Sequence, residues 1–139
     1  MERKKIVTLF VENENGKLLL QKRSKQKGGK YGFISGHVQE GETNSQGMIR
    51  ETKEEIGIDI CEKDMKRFYE TKQNQKTYNF YYIKNGFDIR ELEIQKEEVE
   101  NVKWCSKEEI RTMIDKNQLY KNHIDAFEVV MNYLNKNNK

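Results

Sequence analysis

A chain of 139 residues has room for one domain with a core of its own, and 35% charged residues beside 10% aromatics describe a folded unit with a wet surface rather than a disordered tract. The net charge of +3 comes from lysines and arginines scattered along the chain, which excludes the basic stripe of a duplex nucleic-acid binder. No apolar run approaches the ~18 residues of a membrane span, Met1 to Val7 lacks the apolar stretch of a secretory signal, and Cys61 and Cys105 have neither CxxC spacing nor a nearby histidine, so the chain reads as a cytoplasmic protein with reduced thiols.

Ile6 to Val11 is the first expected strand. Asn13-Glu14-Asn15-Gly16 has hairpin-turn chemistry, and Lys17 to Lys22 follows as a second, buried strand. Lys25 to Lys30 is a polar loop around Gly28-Gly29, and Tyr31 to Ser35 is a short extended piece. Thr43-Asn44-Ser45-Gln46 is a capping-box pattern that opens a helix, which Gly57 stops. Met48, Ile49, Thr52 and Ile56 lie on one side of that helix, and Ile58-Asp59-Ile60 is expected to begin a strand. Arg67 to Thr71 and Thr77 to Ile83 pair as a hairpin across Gln73 to Lys76. After a turn at Asn85-Gly86, Val99 to Trp104 is a late strand. Ser106 to Glu109 is a second capping box, opening a helix through about Lys116, and an amphipathic helix runs from about Asn122 to Leu134. The pattern is an α/β domain with a mixed sheet, a long helix on one side and the C-terminal helices on the other.

The first of these helices carries the chemistry. Glu51, Glu54 and Glu55 stand at i, i+3 and i+4 and share one face. Like charges so placed cost a bare helix about 0.2–0.5 kcal/mol per pair. Such a face is useful when a hard divalent cation sits over it, and carboxylate oxygens suit Mg²⁺ together with water and substrate phosphates.

From Gly36 to Ile58 the spacing is Gly-x5-Glu-x7-Arg-Glu-U-x-Glu-Glu-x-Gly-U, with U a bulky apolar residue. Gly36, Glu42, Arg50, Glu51, Glu54, Glu55 and Gly57 match all seven fixed positions, Ile58 fits the last apolar one, and only Thr52 departs. This segment resembles the box of the Nudix hydrolases, and the order of elements is similar along nearly the whole of residues 1–139. The resemblance implies a single Nudix domain with an α/β/α sandwich fold. It implies a cofactor, Mg²⁺ or Mn²⁺, held by Glu51, Glu54 and Glu55 with a backbone carbonyl at or beside Gly36. It implies that Arg50 orients the glutamates, Glu42 among them. The implied reaction is hydrolysis of a pyrophosphate bond in a nucleoside diphosphate linked to a second group, with a mononucleotide favoured by the small domain. The implied partner is a small nucleotide, the protein itself being a monomer or a homodimer. Glu51 is the general base by the same resemblance, with Glu97 and Glu98 as candidates outside the box.

Further substrate contacts are read from position. Arg23, at the end of the second strand, suits a phosphate contact as well as it suits plain exposure. Tyr78, Phe80 and Tyr82 alternate on one strand face, where they serve either the core or a stacked base, and Phe80 is the candidate kept for the site. Trp104 has the same two readings, and His123 is given only surface or packing work. His37 departs from the usual Pro-Gly-Gly entry to the box. Its Gly36-His37 pair is similar to the isopentenyl diphosphate isomerase branch of the superfamily, but Ser35 stands where that branch has cysteine and no upstream histidine completes its metal site. His37 is therefore an accessory metal or phosphate ligand, or a loop residue. A non-catalytic nucleotide-binding or regulatory domain is the other alternative, against which the complete set of glutamates argues.

Overall fold

The computed structural model of the protein describes residues 4–137. Seven strands, β1 (Lys4–Glu12), β2 (Leu18–Arg23), β3 (Tyr31–Gly32), β4 (Ile34–His37), β5 (Lys66–Gln73), β6 (Lys76–Lys84) and β7 (Val99–Cys105), form one mixed sheet. Its order is β3-β2-β1-β6-β5, with β4 on β1 and β7 on β2. Three helices cover it: α1 (Asn44–Ile56), α2 (Lys107–Asp115) and α3 (Lys121–Asn137).

The alternation of β1 and β2 makes the two layers. Val7, Leu9, Val11 and Leu19 point to one face, where they pack with Met48 and Ile56 of α1 and with Ile60, Tyr81 and Val102. Phe10, Leu18 and Leu20 point to the other, against Ile110 and Met113 of α2 and Phe127, Val130 and Leu134 of α3. Period-two strands between two helical layers give the α/β/α sandwich expected from the sequence. β1 is central. It runs parallel to β6 over its whole length and antiparallel to β4 through Ile6 to Leu9, and a side chain at Gly36 near the end of β4 would meet Glu51 of α1.

Both capping boxes form, at Thr43/Gln46 and at Ser106/Glu109. Gly57 ends α1 at φ +76°, the left-handed conformation that a helix stop of this kind requires. The β5–β6 hairpin closes on Asn74 and Gln75, both at positive φ (49° and 69°), as a tight two-residue turn inside the expected span.

The strand expected at Ile58 to Ile60 does not form. The backbone at the end of α1 is instead crossed by a loop: the Glu93 N–H donates to Ile56 O at 3.0 Å and the Gln95 N–H to Glu55 O at 3.2 Å. Ile60 is buried, so the apolar alternation there reports burial without sheet pairing.

Candidate functional site

β4 and α1 bring the site together. A side chain at Gly36 would overlap the Glu51 carboxylate and push it aside, so glycine leaves that carboxylate its place against the strand. The first glycine and first helical glutamate of the box are thus coupled by space as well as by spacing.

Arg50 gathers the acidic residues. Its Nε and Nη2 donate to the two Glu42 oxygens at 2.8 and 3.1 Å, a bidentate pair. Nη1 donates to Glu51 at 3.0 Å and to Glu54 at 3.1 Å, and Nη2 also to the His37 carbonyl at 2.9 Å. The arginine therefore ties the loop before α1 to two turns of the helix. Its hydrogen bond to Glu42 is the main cause of an upward shift in its own pKa, and it holds the Glu42 carboxyl below its ordinary range.

Glu55 lies a turn further along, almost wholly buried at 5% exposure. One oxygen accepts from Gln21 Nε2 at 2.8 Å. The other, Oε2, is buried with no partner among the described residues, as is Gln21 Oε1. Burial pushes the Glu55 carboxyl up to about 7, against the Gln21 hydrogen bond, which favours the charged form. Glu51 is also raised, by burial first, with Arg50 opposing and Glu54 adding to the shift. A charged carboxylate with an orphaned buried oxygen is costly unless something neutralises it. A hard cation seated at Glu55 and Glu51 beside Gly36 would supply that partner, so these residues fit Mg²⁺ or Mn²⁺.

Glu54 stands apart from the other two. Its side chain is 50% exposed and turned to Arg50. Among the described residues no three acidic, imidazole or thiol groups already converge on one point. Two carboxylates suffice for Mg²⁺, which completes its shell with water and phosphate oxygens.

A cleft of about 600 Å³ opens beside Glu51 and Glu55, on the side of the sheet that carries α3. That volume is in the range of small-ligand sites. Of the residues singled out by sequence, Arg23, Gly36, His37, Glu51, Glu55, Tyr78 and Phe80 line it. Arg23 donates to Glu98 Oε2 at 3.1 Å and Lys27 approaches Glu98 Oε1 at 3.6 Å, so Glu98 pairs with two cations of the rim. Glu98 faces the site electrostatically, raising Glu55, whereas Glu97 is exposed and offers only its carbonyl, to Ser24. Phe80 is 7% exposed and sits in an aromatic cluster with Phe10, Phe68 and Tyr69; the half-buried Tyr78 is the ring more open to the cleft. Tyr82 and Trp104 work elsewhere, bonded to Glu12 and to the Phe87 carbonyl. His37 has an exposed side chain at the mouth.

Three residues of the site carried no signal of their own in the sequence, the first being Lys27, read only as part of a polar loop. Gln21 sits in a strand that reads as plainly buried, and only its place on the α1 side of β2 brings it to Glu55. His123 belongs to α3, far along the chain, yet its ring lines the cleft.

The sequence matches the NUDIX domain over residues 2–127. It is 31% identical over 112 residues to an uncharacterised Nudix hydrolase of Listeria monocytogenes, covering 78% of this chain and 66% of that one. The chain thus spans about two thirds of the length of that relative. Among solved structures, it is similar to the NUDIX domain of Shewanella oneidensis NrtR complexed with ADP ribose (TM-score 0.76, 18% identity, 96% of this chain and 90% of that one). It is equally close in fold to DR0079 of Deinococcus radiodurans (TM-score 0.76, 20% identity, 94% and 82% covered).

Proposed function

Because the chain belongs to the NUDIX family, we propose that it is a divalent-cation-dependent pyrophosphohydrolase, acting over residues 1–139 as one domain on a nucleoside diphosphate linked to a second group. Its kinship with named Nudix hydrolases supports the reaction class. The observation that carries the reading is the buried, unpartnered Oε2 of Glu55 beside a cleft whose rim bears Arg23 and Lys27. The cleft offers an acidic floor and a basic rim, the complement of a cation–pyrophosphate pair.

In this reading Glu51 and Glu55, with the carbonyl at Gly36, hold Mg²⁺ or Mn²⁺. When bound, the cation neutralises the pyrophosphate and lowers the pKa of water. Arg50 fixes the carboxylates so that little reorganisation is needed when substrate arrives. Glu51, half-buried and raised in pKa, takes the proton from the attacking water; Glu98, at the rim, is the alternative acceptor. Arg23 and Lys27 hold the phosphates, and Tyr78, rather than the more buried Phe80, stacks on the nucleoside. The small domain favours a mononucleotide, and the free thiols Cys61 and Cys105 suit a reducing, cytoplasmic setting. Among the described residues no helix is long and apolar enough to cross a membrane.

The isomerase alternative is disfavoured by Ser35, whose hydroxyl lies 3.2 Å from Thr8 Oγ1 where that branch has a thiol. The test is a panel of deoxynucleoside triphosphates, ADP-ribose, dinucleoside polyphosphates and nucleotide sugars, with phosphate and pyrophosphate release measured. Cleavage of a mononucleotide that needs Mg²⁺ or Mn²⁺ is expected. Isopentenyl diphosphate isomerisation with no cleavage across the panel would overturn the reading.

A further inference from the structure

His123 is held in one orientation by the backbone. The Phe33 N–H donates to its Nδ1 at 2.9 Å. The ring lies parallel to Phe33, with centroids 5.9 Å apart at 5°. It reaches that position because residue 32 is glycine: a Cβ there would stand 2.8 Å from Nδ1. The segment before α3 is fastened to the same place. Tyr31 and Tyr120 exchange backbone contacts with this segment, the Tyr31 N–H donating to Gln118 O at 2.8 Å and the Tyr120 N–H to Tyr31 O at 3.0 Å. The Tyr120 hydroxyl donates to the Lys27 carbonyl.

This arrangement decides the tautomer. A backbone N–H only donates, so the nitrogen it faces carries no proton, and the neutral ring has its N–H at Nε2. Burial and the nearby Arg23 pull the imidazole down to about 4, so it stays neutral near pH 7. No acceptor among the described residues takes the Nε2 proton, although the ring lines the cleft together with Arg23 and Lys27. Arg23 and Lys27 share a single carboxylate, Glu98, so the trio keeps a net positive charge, and a fixed, uncharged donor beside it suits an anionic oxygen.

We propose that His123 is a substrate-binding residue, whose Nε2–H donates to a phosphate oxygen of the ligand held between Arg23 and the acidic floor of the cleft. This rests on the pyrophosphohydrolase reading and adds a contact from α3 to it. The Nδ1 side of the ring latches α3 to Phe33, and the Nε2 side serves the ligand, so the two roles come apart by mutation. Asparagine places an acceptor where Nδ1 stands but has nothing at Nε2. Glutamine reaches toward Nε2 but gives up the latch.

The test joins side-chain ¹⁵N NMR of the full chain with binding of inorganic pyrophosphate in the presence of Mg²⁺. In wild type, His123 should show the Nε2–H tautomer, and its Nε2 resonance should move on addition of pyrophosphate. His123→Asn should keep the melting temperature and bind pyrophosphate about 10-fold or more weakly, as expected for a lost hydrogen bond to a charged group. His123→Gln should melt lower and recover affinity to within about threefold. Unchanged affinity in a folded His123→Asn, or an Nε2 resonance that ignores bound pyrophosphate, overturns the proposal while leaving the hydrolase reading standing. A wild type that binds neither pyrophosphate nor any nucleotide overturns both.

Discussion

Arg50 and Gln21 approach the acidic face of α1 from opposite ends and treat their carboxylates differently. At the Arg50 end the network is closed. The guanidinium bonds Glu42, Glu51, Glu54 and the His37 carbonyl, and of the three glutamates only Glu54 is half exposed. At the Gln21 end the network is open: one hydrogen bond to Glu55, then two buried oxygens with no donor. Buried polar atoms are nearly always satisfied, so a pair left open beside a cleft marks where a ligand is expected. The closed end positions and the open end waits for a partner, and substitutions at the two ends should therefore fail in different ways.

The largest effect belongs to the open end. Glu55→Gln keeps the shape and removes the buried charge. Turnover should fall by at least about 10²-fold, the scale of a lost metal ligand or base, while thermal melting holds or rises because an under-satisfied carboxylate is gone. Steady-state kinetics and a melt on the same preparation decide it.

Arg50→Lys breaks the closed end. Lysine cannot supply the bidentate fork, so Glu42 and Glu51 lose their fixed geometry. A drop in turnover of about 10- to 100-fold is expected, the range for residues that orient metal ligands. Equal losses for Glu42→Gln and for Arg50→Lys, with no further loss in the double mutant, would show that the pair acts as one unit.

Gly36→Ala pushes a methyl group into the Glu51 carboxylate. The carboxylate is the far end of a flexible side chain and can swing away, so the stability cost should stay under about 1 kcal/mol, or roughly 4 °C in melting temperature. Differential scanning calorimetry measures it.

The open end also predicts a pH dependence in chelator. Glu55 is raised from its ordinary 4.5 to about 7 in the folded chain. Between those values the folded state keeps a proton that the unfolded chain has released. Stability is then greatest below the lower value, falls as pH rises through the folded pKa, and levels off above it. The slope is bounded by about 1.4 kcal/mol per pH unit. His123, lowered to about 4, works in the opposite sense below its ordinary 6.5, so the Glu55 decline is read as the difference between wild-type and Glu55→Gln melts from pH 4 to pH 8, which should shrink as pH rises through 7. The smallest effect is at His37, which lends its backbone carbonyl to Arg50 while its side chain stays exposed. His37→Gly should leave turnover within about threefold, or about 0.7 kcal/mol.

The closed end was legible in the sequence because its parts are local. Gly36, Glu42, Arg50 and Glu51 lie in β4, the loop after it and α1 in a fixed spacing, and α1 advertises its own start and stop at Thr43 and Gly57. The layers were legible from the alternation of β1 and β2. What could not be read was long-range. Gln21 meets Glu55 only because of which way β2 faces, and His123 meets Phe33 only because the segment before α3 is fastened to β3. Nothing in their neighbours announces either contact. Thr52 shows the opposite case. It departs from the apolar position of the box, yet its hydroxyl donates to Met48 O at 2.8 Å, so it is buried without an orphaned group. Ile58 to Ile60 misled because apolar alternation measures burial, and a loop can bury Ile60 as well as a strand can.

The central claim is that the open end of the acidic face holds a divalent cation. Calorimetric titration of Mn²⁺ into metal-stripped wild type and metal-stripped Glu55→Gln tests it without any substrate. The account predicts binding to wild type that weakens by at least about tenfold in the variant, as expected when a ligating carboxylate is lost. Equal Mn²⁺ affinity in two equally folded proteins would contradict it.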